Sequence, residues 1–421
     1  MSSVLVLGRN RQVLGIVRAL SAKGYHVILG RSGRATFVES SRCVDEVWLH
    51  PSMREELDDF NTALADFARK RTDLVAVYPA GEESLRALVR KRPDLPDHLH
   101  YLMPSTEAVA ACLDKNRCYE LASDCGVSQA SWRSTHSLDE LERAANEIGF
   151  PCIVKPNTSQ ALLAGRKCIR LDTASDLHKA LPDWPQEHPD LILQSFVEGY
   201  RHNCNFAAYK GQLLTYAELR VLRTSEADGS GNLVDACTMP ADPARRAEIG
   251  ALLARLDYTG IGCAQYLVDD VNRRFVFLEL NPRIASCTAF QAAGFDMTEM
   301  ALACGDLSSS ELADLDRCRE GLRIVWLLGD LPGLAFSLLK RRSGLRGLTD
   351  WLGASIASWW HADVHVVWSL RDARPTFASI AQMIGSLAGR GGEARSAAPT
   401  RSTYSFGRPA NLRRRRSIPP R

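Results

Sequence analysis

The chain has 421 residues, 45% of them hydrophobic and 24% charged, with a formal net charge of +3. This is room for two to four packing units of ordinary globular composition. Twelve cysteines without a C-x-x-C pair or regular spacing, several inside apolar runs such as Cys152 and Cys263, exclude a disulfide framework or zinc site and point to a reducing compartment. No apolar run reaches the roughly 18–20 residues of a membrane span. Met1–Gly8 enters a strand directly, so no signal peptide is expected and a cytoplasmic location follows. Nine arginines and one glutamate give Ser386–Arg421 a charge of +8, leaving −5 for the rest.

In chain order, Ser3–Leu7 reads as a buried strand, followed by Gly8, a polar Arg-Asn-Arg turn, a helix over 13–23 and a strand over 25–29. This is a βαβ opening of doubly wound type. Gly8–Gly15 lacks G-x-G-x-x-G and is not read as a dinucleotide site. Strands over 44–49, 74–77 and 101–103 continue the series. Pro79–Glu83 follows a strand end, where open α/β sheets bind ligands, yet Glu82 and Glu83 equally suit a helix start, which is the preferred reading. Asp114 is the expected cap of a helix running to Gly126. Ser137–Ile148 is a second helix, broken by Gly149-Phe150-Pro151. The strand Cys152–Lys155 places Lys155 at its exit, either snorkelling to water or aimed at phosphate.

The following segment, 157–167, contains only Gly165; Thr158, Ser159, Arg166 and Lys167 are its remaining donors. Leu191–Phe196 is a strand. Phe206–Tyr209 and Leu213–Leu222 form a hairpin turned by Lys210-Gly211. Arg220 and Arg223 lead into a polar, glycine-containing loop over 225–232 that reads as mobile, and 243–257 is an amphipathic helix.

The most informative stretch is Gly262–Gly294. Cys263–Val268 and Phe275–Leu280 are apolar runs joined by a polar turn, a β-hairpin. If the turn centres on Asn272, Gln265 faces Glu279 across the pair, and Asn281 shares a face with Glu279. Pro282 holds Arg283 just beyond. Three oxygen-bearing side chains beside a cation suit Mg²⁺ on a polyphosphate.

F-L-E-L-N-P-R at 277–283 resembles the signature of the ATP-grasp superfamily, and glutamine at 265 most resembles the ATP-binding domain of the carbamoyl-phosphate synthetase large chain. The resemblance covers roughly the first 300 residues. It implies an α/β and α+β architecture: a small N-terminal α/β domain (1–110), a two-lobed ATP-grasp domain (111–308), a helical C-terminal region (309–385) and a disordered basic tail (386–421). It further implies that ATP binds with Mg²⁺, or Mn²⁺ in its place, between the lobes. Gln265, Glu279 and Asn281 would hold the metal. Lys115, Lys155 and Arg283 would reach the phosphates. Gln194, Phe196 and Val197 would meet adenine, Glu198 or His202 the ribose, and Arg220 the acceptor substrate.

The implied activity is ATP-dependent carboxylate–amine ligation through an acylphosphate, with a small-molecule carboxylate and an amine as partners. The usual glycine-rich lid is missing, so the alternative is a nucleotide-binding regulatory or scaffold protein. Carboxyphosphate chemistry is set aside, because one ATP lobe and no amidotransferase segment are visible.

Residues 320–385 read as helical and hydrophobic. A helix with Leu and Trp on one side and Lys340-Arg341-Arg342 at its end suits a membrane surface, but capping the enzyme or forming a homodimer is the preferred reading. The tail is expected to touch anionic surfaces at most, without specific nucleic-acid binding.

Overall fold

The computed structural model describes residues 1–158, 161–225, 231–269, 271–285, 287–306, 315–330 and 345–393. Residues 1–380 form one compact unit and 381–421 a second.

The described residues form three sheets. The first is parallel, in the order β3-β2-β1-β4-β5, from β1 (Ser3–Leu7), β2 (His26–Arg31), β3 (Glu46–Leu49), β4 (Leu74–Pro79) and β5 (His100–Tyr101). All five residues of β1 are buried, as a parallel strand covered on both faces requires. Val4 and Val6 join one core with α1 (Arg11–Ala22), and Leu5 and Leu7 another with α2 (Leu57–Lys70). Helix α1 starts two residues earlier than periodicity alone places it, because the Asn10 side chain accepts the N–H groups of Gln12 and Val13. Arg11 thereby becomes the first helical residue. Glu82 and Glu83 begin α3 (Glu82–Arg90), the preferred reading of that motif. Helices α4 (Thr106–Leu113) and α5 (Lys115–Asp124) follow, with Asp114 capping α5 as expected through the Arg117 N–H, at 3.2 Å.

The second sheet is antiparallel, β6-β9-β7-β8, from β6 (Trp132–Thr135), β7 (Cys152–Pro156), β8 (Ile169–Leu171) and β9 (Leu191–Ser195). It packs on α6 (Leu138–Ile148) and α7 (Ala174–Ala180) around Leu141, Val154, Leu177 and Leu193.

The third sheet runs β14-β13-β10-β11-β12-β15-β16. Its strands are β10 (Tyr200–Tyr209), β11 (Gln212–Thr224), β12 (Leu233–Met239), β13 (Gly260–Val268), β14 (Phe275–Asn281), β15 (Arg323–Val325) and β16 (Val364–His365). Lys210 and Gly211, with φ of +47° and +74°, turn β10 into β11 as predicted. Strand β10 begins six residues earlier than expected. Gly199 allows this: a Cβ there would lie 1.9 Å from the Val268 carbonyl oxygen. One face of this sheet buries Phe206, Tyr266 and Phe277 against α5 and α8 (Pro243–Arg255). The other face packs on α9 (Cys287–Ala292) and α10 (Met297–Asp306) at one end and stays polar at the other.

Residues 309–385, expected to be helical, contain α11 (Leu345–Trp360) and the start of α12 (Arg374–Glu393), but also β15 and β16, which extend the third sheet. R-I-V and V-H-V-V are β-branched runs too short for periodicity to separate from a helix. Helix α12 continues to Glu393, past the expected boundary at 385, because its glycines weaken a helical pattern without ending it. The tail beyond 393, and most of the loop over 225–232, lie outside the described residues.

Asp330 anchors α11. It is buried and accepts from Arg223 (3.1 Å), Trp351 Nε1 (2.8 Å) and Ser355 Oγ (2.7 Å). Asp330→Ala is expected to cost about 2–4 kcal/mol, since three donors lose a buried carboxylate. Urea unfolding measures this, and a midpoint equal to wild type would show that the anchor is not structural.

Candidate functional site

The β13–β14 register puts Gln265 opposite Glu279, the pairing anticipated from the turn. On the other side of β13, Asn203 of β10 pairs with Gln265, and Asn205 pairs with Cys263, itself opposite Asn281. Alternation therefore aligns Arg201, Asn203, Asn205, Gln265, Glu279 and Asn281 on one sheet face. Asn281 Nδ2 donates to Glu279 Oε1 at 2.9 Å. Asn205 is fully buried with both amide atoms unpartnered among the described residues, and Asn203 Oδ1 is likewise buried and unpartnered.

Cations converge on this face from three directions. From β7, Lys155 is buried and donates to Tyr119 Oη and Gln194 Oε1, both at 2.8 Å. Tyr119 Oη in turn donates to the Leu278 carbonyl at 3.0 Å, linking the lysine to β14 through α5. From the first turn of α5, Lys115 donates to the carbonyls of Pro156 and Asn157, at 3.3 and 3.0 Å. Burial pushes the Lys155 ammonium down to about 8; Glu279 opposes this only in part. Burial also brings Lys115 down to about 8, against Glu279 and with help from Lys155. Burial works against ionisation of Glu279, but Lys115, the Asn281 hydrogen bond, Arg283 and Lys155 together outweigh it and hold the carboxyl below its ordinary value.

Three guanidiniums complete the cluster. Arg201 is depressed by burial, with Glu279 opposing. Arg11 is brought down to about 10 by burial and by the like charges of Arg201 and Arg283, and lies 3.8 Å over the Trp326 ring. Arg201 Nη2 donates to the Gly231 carbonyl at 3.0 Å, and among the described residues the buried Nε atoms of Arg201 and Arg283 have no partner. Among the described residues, no carboxylate is within ion-pair distance of Arg11, Arg201 or Arg283. Such surplus positive charge, partly desolvated, suits a polyanion.

Of the residues predicted from sequence, Lys115, Lys155, Gln194, Gln265, Glu279, Asn281 and Arg283 are therefore brought together. Phe196 lies at the end of β9 with the Arg170 guanidinium 4.1 Å over its ring, and Val197 and Glu198 follow on the connection to β10. His202 and Arg220 pair with each other on β10 and β11 and point to the opposite face. There His202 Nε2 meets Glu218 Oε2 at 2.6 Å, and Arg220 lies 3.9 Å over the Tyr200 ring. His202, Cys204 and Glu218 have ligand atoms within 4.8 Å of one another. The Glu218 oxygens, however, are occupied by His202, Tyr216 Oη and the Asp242 N–H, as in a core hydrogen-bond network. In the lid segment, Arg166 and Lys167 are exposed, Thr158 is half-buried, and Ser159 lies outside the described residues.

Arg11, Tyr119, Arg201, Asn203 and Asn205 escaped the sequence reading. The odd-numbered polar residues Arg201, Asn203 and Asn205 after Gly199 are a period-2 signal in the sequence.

A doubly wound N-terminal sheet, an antiparallel lobe and a larger sheet whose hairpin carries Gln265 and Glu279 constitute the ATP-grasp fold. Residues 227–308 match the family described as carbamoyl-phosphate synthase L chain, ATP binding domain. The chain is 22% identical over 338 residues to the carbamoyl phosphate synthase large chain of Neisseria meningitidis serogroup B, covering 72% of this chain and 30% of that relative's length. It resembles the crystal structure of the biotin carboxylase domain of Hydrogenobacter thermophilus 2-oxoglutarate carboxylase in complex with MgADP, ADP and bicarbonate (TM-score 0.57, 17% identity, 76% and 73% of the two chains). It also resembles the L-amino acid ligase from Bacillus licheniformis (TM-score 0.57, 13% identity, 77% and 78%).

Proposed function

We propose that the chain is an ATP-dependent carboxylate–amine ligase that binds MgATP between the second and third sheets. The observation that carries this reading is the row Asn203–Gln265–Glu279, with Lys115, Lys155, Arg201 and Arg283 arrayed around a single carboxylate. Gln265, Glu279 and Asn281 offer hard oxygen ligands that suit Mg²⁺ or Mn²⁺, and the unpartnered amides of Asn203 and Asn205 offer further polar contacts at the same face. The metal, when bound, neutralises phosphate oxygens.

In this reading Lys115 and Lys155 hold the phosphates and Arg283 faces the group in transfer. A substrate carboxylate oxygen attacks the terminal phosphorus as the bond to the ADP oxygen breaks. An amine nitrogen then attacks the acyl carbon, inorganic phosphate leaves, and the nitrogen releases its proton. The protein positions the reactants and stabilises charge; no side-chain nucleophile is required.

In this reading Arg201, on the Glu279 face, takes the acceptor role that the resemblance implied for Arg220, and a planar guanidinium suits a carboxylate. Arg201→Ala is expected to raise KM for the carboxylate by about 10-fold or more, with KM for ATP changed far less. Equal effects on both would place Arg201 at the nucleotide instead. The governing experiment is a phosphate-release screen of carboxylates paired with amines: turnover with any pair supports ligation, and nucleotide binding without turnover supports the second reading.

That second reading, a nucleotide-binding regulatory protein, has one observation behind it. Gly165, the only glycine of the lid segment, is used in a tight turn with Ala164 (φ of +74° and +48°), closed by reciprocal hydrogen bonds between Leu163 and Arg166 at 2.8 and 3.0 Å. Its conformational freedom is taken up by that turn, and the segment has no second glycine to let the backbone approach a phosphate closely.

A further inference from the structure

Helix α11 is built inside out. Its inward stripe is Trp351, Ser355 and Ser358, spaced i, i+4, i+7. These side chains donate to buried carboxylates: Trp351 Nε1 and Ser355 Oγ to Asp330, and Ser358 Oγ to Asp235 at 2.6 Å. Asp330 and Asp235 are in turn held by Arg223 and Arg323. The outward stripe is the apolar one: Leu352 is 45% exposed, Ile356 58%, Trp359 41% and Trp360 75%. The segment after the helix exposes Leu370 and Phe377 as well. A helix of a globular protein ordinarily turns this face to the core, and here the buried arginine–aspartate pairs hold it the other way. Exposed apolar residues at i, i+4, i+7 and i+8 constitute an interaction surface rather than scattered surface residues.

We propose that the outward stripe of α11 docks on an anionic lipid surface, as an interfacial helix lying in the headgroup plane. Two observations select this occupant. Adjacent tryptophans end the stripe, and tryptophan favours the membrane–water boundary, where its ring is apolar and its N–H stays wet. The stripe is also bracketed by positive charge. Lys340, Arg341, Arg342 and Arg346 precede it, with Asp350 the only acidic residue over 340–360, and nine arginines follow in 386–421. In an interface between two copies of this chain, that charge would face itself and repel. Against anionic headgroups the same charge is attractive and screened by salt. No described helix is long and apolar enough to cross a membrane, and an interfacial helix has no need to be.

The test is co-sedimentation of the full chain with phosphatidylcholine vesicles containing about one third phosphatidylglycerol, a content that gives the negative surface potential the proposal requires. Wild type is expected to bind these and not pure phosphatidylcholine. Raising the ionic strength to about 0.5 M, where the screening length is a few Å, should weaken binding. Ile356→Glu/Trp360→Glu should reduce partitioning by about 10-fold or more, with an unchanged melting temperature because both side chains face solvent. If that variant fails to fold, Trp360→Ser replaces it. Equal binding by wild type and variant would overturn the proposal and leave the arginine tail as the only lipid contact. So would absence of vesicle binding. A dimer by light scattering that the same substitutions dissociate, without lipid binding, would assign the stripe to a second copy.

Discussion

Glu279→Gln is expected to lower turnover by at least about 10²-fold while the protein remains folded, the scale of losing one preorganised charge at a reacting centre. Glu279 is the carboxylate on which Lys115, Lys155, Arg201 and Arg283 all act. Its removal leaves those cations repelling one another, and takes the anionic ligand from the metal row Gln265–Glu279–Asn281. Two further consequences separate this from a general structural defect. Pyrophosphate without metal should bind the variant more tightly than wild type, because the competing internal anion is gone. The variant should also lose a pH-dependent component of stability. The Glu279 carboxyl is depressed in the folded protein, so its stabilisation is present above the ordinary carboxylate range and lost as pH falls through the depressed value. Unchanged ATP-dependent turnover in Glu279→Gln would sink the metal assignment.

The second large effect concerns the two lysines. Lys155 and Lys115 are each brought down to about 8 by burial, well under the ordinary lysine value of about 10.4. A bound triphosphate restores the preference for ammonium. MgATP binding near pH 8.5 should therefore take up protons, up to about 1.5 per site for two lysines titrating near 8, and affinity should fall as pH rises through 8. Calorimetry in buffers of different ionisation enthalpy reads the uptake directly. Lys155→Met should weaken MgATP binding by about 10- to 150-fold, the equivalent of roughly 1.5–3 kcal/mol for a charge-assisted contact, and remove about one proton from the uptake. The sign for the nucleotide-free protein is opposite to that of Glu279. A lysine depressed in the folded state costs stability at neutral pH, and the cost is relieved as pH rises from 8 toward the ordinary value. Lys155→Met therefore loses the bonds to Tyr119 and Gln194 but also sheds a buried charge, and its melting temperature should stay close to wild type. Equal affinity and equal proton uptake in the two proteins would show that Lys155 serves packing alone.

Several parts of the site were legible without coordinates because they depend on neighbours a few residues apart. The polar turn between two apolar runs sets the Gln265–Glu279 register, Asp114 satisfies an exposed helix N–H, and Lys210-Gly211 supplies the positive φ of a tight hairpin. The same local reasoning failed at Tyr200–Asn205. The expected strand begins only at Phe206, whereas pairing with β13 extends it back to Tyr200. That one change of element decides which side of the sheet His202 occupies, and Arg220 with it.

The local pattern of the chain thus determined the hairpin, its oxygen donors and the placement of Lys155 at the exit of β7. Turn length, capping and period-2 alternation act over a few residues and need no other part of the fold. Tertiary structure alone decided that Arg11, Arg201 and Arg283 would share one space, that Tyr119 would tie Lys155 to β14, and that α11 would turn its tryptophans outward. Each depends on contacts between residues 21 to more than 270 positions apart, and on burial, which sets the strength of every charge and is a property of the packed whole.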